Sequence, residues 1–263
     1  MRLFWELGKL SFQRQLSYRA ANLAGLATNI FFGLLRASVM IALFGAREQV
    51  EGMTIGDAIT YTGLTQAVIA YLSIFGWNDL MNSIYSGEVG SDLLKPMGYF
   101  RYWLARDLGR AAASLLLRGA TIMGIYAIFY RITVPHGALQ WLALLTSIVL
   151  GLLVSFGWRF IVNLSAFWTP DARGVGRFAF GIAWVLSGFF MPLRFYPDWF
   201  IRFCQLTPFP AMVNTTVEVY LGLLNGTELL LALAVQMGWV LLLALIAQLI
   251  LKMGMRHLVI QGG

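Results

Sequence analysis

Long apolar runs broken by short polar clusters set the rhythm of this chain. After Met1, the stretch RLFWELGKLSFQRQLSYR is too charged to cross a bilayer and too long for the basic region of a signal peptide. It has a helical period instead. Arg2, Glu6, Lys9 and Gln13 form a narrow polar stripe, Leu3, Phe4, Leu7 and Leu10 lie beside it, and Trp5, Phe12 and Leu16 make a second apolar strip. This pattern predicts an amphipathic helix over residues 1–19 lying in the headgroup layer, basic groups toward anionic lipid.

Six apolar runs follow that approach the roughly 20 residues a helix needs to span the hydrocarbon layer. They cover residues 21–45, 57–77, 111–130, 139–168, 177–191 and 227–252. The longest polar stretch, 78–110, falls after the second run, and residues 78–105 of it are expected to form an inner loop. Residues 194–226 are apolar but interrupted by Pro197, Pro208 and Pro210, which forbids a continuous helix. Two short helical pieces, 198–206 and 211–224, are expected there. Each is below spanning length, so they are read as broken, re-entrant helices dipping into the outer leaflet.

Composition strengthens the membrane assignment. Hydrophobic residues make up 59% of the 263 and charged residues 12%, where a soluble domain carries roughly 25% charged. Lipid accepts apolar side chains on every face of a helix, so the expectation is an all-α integral membrane protein with a single transmembrane domain over 1–263 and no room for a nucleotide-binding domain. The net charge of +7 is explained by topology rather than by nucleic acid. Of the 19 Lys and Arg, twelve fall on the side of the amino terminus, four on the other (Arg47, Arg131, Arg194, Arg202), and three within spans. Basic residues gather on cytoplasmic loops, so both termini are expected inside.

Candidate chemistry is sparse. Cys204 is the single cysteine, and His136 and His257 are far apart, which removes disulfides and metal sites. No phosphate-binding loop occurs, and no catalytic set of Ser, His and Asp can be assembled on one side. The strong polar features at depth are Arg36, Arg118 and Arg159, each costly inside lipid. Arg159 is expected to snorkel to the inner surface. Arg118 is read either as snorkelling or as facing a polar cavity, and Arg36 lies about nine residues from the outer end. Trp77, Trp103, Trp141, Trp168 and Trp199 fall near predicted interfaces, where aromatic belts form.

Two runs carry a resemblance: Ser86-Gly87-Glu88-Val89-Gly90-Ser91-Asp92-Leu93-Leu94-Lys95-Pro96, and Ser187-Gly188-Phe189-Phe190-Met191-Pro192-Leu193 followed by Tyr196-Pro197 and Pro208-Phe209. With the order of elements, they resemble an ABC-2 type transporter permease, closest to the viologen-exporter-like branch, to which the closing Gln261-Gly262-Gly263 is also similar. The resemblance implies half of an exporter in a bacterial-type inner membrane. A second permease chain, a different one or another copy, would complete the pathway, and separate ATPase subunits would use ATP and Mg, this chain holding no cofactor. The inner-loop run would couple to the ATPase through Gly87, Glu88, Gly90, Asp92, Lys95 and Pro96. Gly87 and Gly90 suit tight reversals, Pro96 a helix break, and Glu88 and Asp92 are expected to be exposed. Arg36 and Arg118 become pathway candidates, and Pro192, Pro197, Pro208 and Pro210 an outer gate. Two other readings share the composition: a non-catalytic six-span subunit of a membrane enzyme complex, and a proton-coupled transporter. The second usually places acids within spans, whereas all 12 Asp and Glu here fall in predicted loops or at span ends.

Overall fold

The computed structural model describes residues 2–73, 77–169 and 171–257; the closing Gln261-Gly262-Gly263 run and part of the second predicted span lie outside them. Helix α1 (Arg2–Ser17) and α2 (Arg19–Phe44) lead into a hairpin of β1 (Gln49–Val50) and β2 (Met53–Thr54). Then come α3 (Ile55–Leu72), α4 (Asp79–Tyr85), α5 (Val89–Leu93) and α6 (Tyr99–Ser114), the last running through a π-helical stretch, Leu115–Ala120, into α7 (Thr121–Phe129). The remaining α-helices are α8 (Ala138–Leu164), α9 (Arg173–Leu186), α10 (Asp198–Gln205), α11 (Phe209–Met212), α12 (Asn214–Tyr220) and α13 (Gly226–Gly254).

Among the described residues, four helical stretches are long and apolar enough to cross a membrane: Arg19–Phe44, Tyr99–Phe129, Ala138–Phe167 and Gly226–Gly254. The other two predicted spans are helices of a different kind. In α3, 15 of 18 residues are buried, and a helix enclosed by protein on all sides can carry Thr60, Thr62, Thr65 and Gln66. Its end also differs from expectation, at Leu72 with Ser73 in the left-handed region (φ 53°), rather than near Trp77. With 14 residues, α9 is only about 21 Å long.

The expected inner loop over 78–105 is partly helix. Two short helices, α4 and α5, occupy its first half, and α6 begins at Tyr99 where the apolar run suggests 111. Charge misled the reading, because Arg106, Asp107 and Arg110 look like loop residues until their partners are seen. On one side of α6 lies α1, and the two backbones touch: a Cβ on Gly109 would stand 1.9 Å from the Gly8 carbonyl oxygen. Ser11 Oγ donates to the Arg106 carbonyl at 2.6 Å. This contact splits the second expected apolar strip of α1, drawing Phe12 toward α6 and leaving Trp5 69% exposed, while Leu10 of the first strip is 60% exposed.

Connections collect at two opposite ends of the bundle. At one end, the hairpin meets the segment after α9 through Arg194 Nη1 and the Glu51 carbonyl (3.0 Å), and Thr133 Oγ1 bonds Asp57 Oδ1 (2.5 Å). At the other, Asn163 Nδ2 bonds the Trp77 carbonyl (2.7 Å) and Tyr85 Oη the Thr169 carbonyl (2.9 Å). The hairpin turn itself has positive φ at both Glu51 (47°) and Gly52 (73°), as a two-residue type I′ turn requires. Glutamate is uncommon at such a position, so the sequence does not announce it. Immediately after the hairpin, Thr54 and Asp57 form a reciprocal capping box that starts α3. Midway through the bundle, Tyr126 wedges between two glycines: a Cβ on Gly63 would lie 2.7 Å from its ring and one on Gly33 2.6 Å from its hydroxyl.

Candidate functional site

Five groups of residues stand out: a buried ion cluster, the carboxyl end of α3, a cavity at Arg36, and the two short-helix regions at the opposite ends. Arg159 does not snorkel. It is 0% exposed and pairs in bidentate fashion with Asp107, Nη1 to Oδ1 at 3.0 Å and Nη2 to Oδ2 at 2.6 Å. Arg110 reaches the same carboxylate at 2.7 Å, and Ser155 Oγ accepts from Arg159 Nε at 3.1 Å. Desolvating an ion is costly, and such a cluster persists only when its hydrogen bonds are nearly complete, as here. Trp77 stands over the Arg159 guanidinium, 5.3 Å from ring centroid to Cζ, and packs edge-on against Trp103. Both tryptophans are buried, so they belong to the core rather than to an interfacial belt; Trp141, Trp168 and Trp199 remain exposed.

The last carbonyls of α3 have no partner within the helix. Those of Ala70, Tyr71 and Leu72 accept from Arg118 Nη2 (2.8 Å), Arg110 Nη2 (2.9 Å) and Ser155 Oγ (3.3 Å). Cations are favoured at this negative end of the helix dipole. Arg118 thus caps α3, and Gly25 makes room for it, since a Cβ there would sit 2.9 Å from Nη1.

Arg36 lies eight residues before the end of α2, about 12 Å along the axis. Its Nη1 donates to Thr65 Oγ1 (2.9 Å), and Nη2 donates to the carbonyls of Phe189 and Phe190. The Phe189 ring covers the guanidinium at 4.7 Å. Arg36 and the Ser187–Leu193 run, distant in sequence, are therefore one structure. Beside them is a cavity of about 510 Å³ lined by Phe32, Arg36, Gln66, Trp184, Phe189 and Phe190, among others.

In the inner run, Gly87 (φ 76°) reverses the chain between α4 and α5, a conformation that favours glycine. Gly90 does not: it lies inside α5. Glu88 is exposed as expected, but Asp92 is only 6% exposed, accepting from Ser83 Oγ (3.1 Å) and Lys95 Nζ (2.5 Å). The neighbouring apolar Leu94 is 87% exposed. Burial by itself would lower the Lys95 ammonium, yet its bonds to Asp92 and Tyr102 outweigh that and hold it above its ordinary value. Pro96 sits in the bend that precedes α6. From beneath, Asn163 Oδ1 accepts from the Met81 amide (3.0 Å) and Tyr85 Oη from the Ala172 amide, tying α4 to α8 and to the start of α9.

At the opposite end, prolines punctuate each turn. Pro192 precedes the single 3₁₀ turn Leu193–Phe195, Pro197 precedes α10, Pro208 precedes α11 and Pro210 stands in its first turn. No helix runs through 198–224, and the second predicted piece is further split at Val213. That split frees Asn214: its amide donates to the Ser187 carbonyl (3.1 Å), and its Oδ1 accepts from the Leu193 amide (3.3 Å) and Tyr61 Oη (3.0 Å). Tyr61 Oη also donates to the carbonyl of Gly188, whose φ is 79°. Arg194 and Glu218 pair at 3.0 Å on the same side.

Asp107, Arg110, Tyr61, Asn214 and Gln66 were not singled out by sequence reasoning. For Asp107 a signal existed: an i,i+3 spacing to Arg110 and an unpaired Arg159 in need of a carboxylate. The others become visible only through contacts far apart in the chain.

No curated protein and no solved structure matches the chain. The model of the ABC-2 family transporter protein matches residues 29–262. As that match begins within α2 and takes in both the Ser86–Pro96 and the Ser187–Leu193 runs, the chain belongs to the ABC-2 transporter family and is a multi-pass membrane permease of an ABC transporter.

Proposed function

We propose that this permease is one half of an ATP-driven exporter, completed by a second permease chain, either a different one or another copy, and powered by separate ATPase subunits that use ATP and Mg. The observation that carries the docking assignment is the inner platform formed by α4 and α5. Its upper side offers Glu88 and the 87% exposed Leu94, while its underside is bonded to α6 and α8 through Asp92, Lys95, Tyr102 and Asn163. A push on such a platform is transmitted to long helices. Glu88 and Leu94 are the docking groups in this reading, Asp92 and Lys95 are internal braces, and Gly87 and Pro96 set the chain reversals at its edges.

The remaining assignments follow the grouping of connections. The end bearing α1, α4 and α5 faces the cytoplasm of a bacterial-type inner membrane, since most basic residues lie on it. Six crossings are made by α2, α3, the Tyr99–Phe129 stretch, α8, α9 and α13. The short turns around Pro192, Pro197, Pro208 and Pro210 form the outer gate, Arg36 faces the pathway, and the exposed side of α1 rests on the inner leaflet. Co-purification with the partner ATPase tests the reading. Leu94→Asp and Glu88→Lys should each leave thermal stability unchanged, and together should reduce ATPase recovery at least about tenfold, because an unfavourable charge at an interface costs several kcal/mol. Full recovery of ATPase with both changes present would sink the docking assignment.

A further inference from the structure

Two residues that line the cavity at Arg36 each carry a buried donor without an acceptor. Arg36 Nε and Gln66 Nε2 have no hydrogen-bond partner, although Gln66 is only 2% exposed and both residues line the space. Buried donors left unsatisfied are costly, so a site that keeps two of them beside an open volume is suited to an acceptor that comes from outside. Charge narrows its class. The ion pairs among the described residues involve Lys95, Arg110, Arg159 and Arg194; Arg36 has only neutral acceptors, a hydroxyl and two carbonyls. An uncompensated guanidinium at this depth attracts an anion and repels a cation.

The rest of the wall is mostly apolar, with Thr28 and Asn29 its other polar residues. Phe32, Ile69, Trp184, Phe189 and Phe190 surround a volume of about 510 Å³, enough for a chain or ring of moderate size beyond the head group. We infer that this cavity binds an amphipathic anion, its carboxylate- or phosphate-like head on Arg36 and Gln66 and its apolar body among the aromatic rings. This deepens the permease reading, on which it rests only for calling the occupant cargo. It runs against an organic dication such as a viologen, the class that the branch resemblance would suggest.

Binding can be measured on the purified chain in phosphatidylcholine nanodiscs, without any ATPase. The probe is a dansyl-labelled undecanoate followed by energy transfer from tryptophan, with its methyl ester and a quaternary-ammonium analogue as neutral and cationic controls. The acid should bind saturably and roughly tenfold or more tightly than either control, as expected for a charge-assisted contact. Arg36→Gln should erase that preference, and Gln66→Leu should weaken the acid severalfold. Because Arg36→Gln also releases the carbonyls of Phe189 and Phe190, Asn29→Trp gives an independent check: it fills the cavity without touching those bonds and should abolish binding. Equal affinity for acid and ester in the unmodified chain, or acid binding unchanged by both Gln66→Leu and Asn29→Trp, would overturn the inference. Adding phosphatidylglycerol to the discs separates the two sources of such a head group. Displacement of the probe assigns a lipid, and retention assigns a free amphiphile, both within the proposed class. Failure of binding leaves the ATPase docking on Leu94 and Glu88 standing, and failure of docking leaves the cavity standing.

Discussion

Asp107 holds two arginines at once, so its loss orphans both Arg159 and Arg110, whereas loss of Arg159 leaves Asp107 paired with Arg110. Breaking a buried pair from one side costs about 3–5 kcal/mol because the surviving charge stays uncompensated. Asp107→Ala should therefore lower the unfolding temperature in detergent more than Arg159→Met, and Arg159→Met more than Arg110→Met, as Arg110 is the most exposed of the three side chains. An Asp107→Leu, Arg159→Leu double variant should recover much of the loss. A thermal-unfolding series checks the order, and equal shifts for all three single changes would show that the cluster does not act as a unit. At this scale the sequence displays the problem and conceals the solution. Arg159 is visibly a charge at membrane depth, but its carboxylate is 52 residues away in what reads as a loop.

Helix contacts in this protein depend on a few positions where a side chain cannot be added. On Gly109 a Cβ would collide with backbone, the Gly8 carbonyl oxygen at 1.9 Å, which no rotamer change relieves. Gly109→Ala should lift α1 from α6, seen as faster amide exchange in residues 2–17 with the protection of α8 and α13 preserved. Gly188 is constrained in a second way. Its φ of 79° costs a residue with a Cβ about 1–2 kcal/mol, and that Cβ would also lie 2.8 Å from Tyr61 Oη and 2.9 Å from Asn214 Oδ1. Gly188→Ala should sharply reduce the yield of monodisperse protein. Tyr61→Phe should be milder, stranding the Gly188 carbonyl at about 1–3 kcal/mol, and a thermal shift as large as that of Gly188→Ala would contradict this ranking. Helices α2, α8 and α13 were legible because a long apolar period needs no partner to be recognised. The start of α6, the end of α3 and the split at Val213 were not, because each is set by hydrogen bonds from other elements.

In the proposed topology the two clusters of connections lie on opposite sides of the membrane, and cysteine labelling from each side tests that assignment. Native Cys204 is 0% exposed and its thiol is raised by burial, so at neutral pH less of it is thiolate and reaction with maleimide is slow, becoming faster only as the medium turns alkaline. It therefore serves as a silent background. Glu51→Cys should be labelled in intact cells by a membrane-impermeant maleimide, and Leu94→Cys only after the membrane is opened; the opposite pattern would invert the topology. The sequence by itself determined the membrane class, the family-bearing runs, the interruption by Pro208 and Pro210, and the asymmetry of basic charge, since these follow from local hydropathy, backbone restriction and counting. Tertiary structure alone decided which arginine is paired, which caps a helix and which lines a cavity, which acid is exposed, and which polar helix is enclosed. The physical reason is that the cost of a buried charge or an open carbonyl is relieved by whatever group the fold brings within about 3 Å, and chain order carries no record of that neighbour.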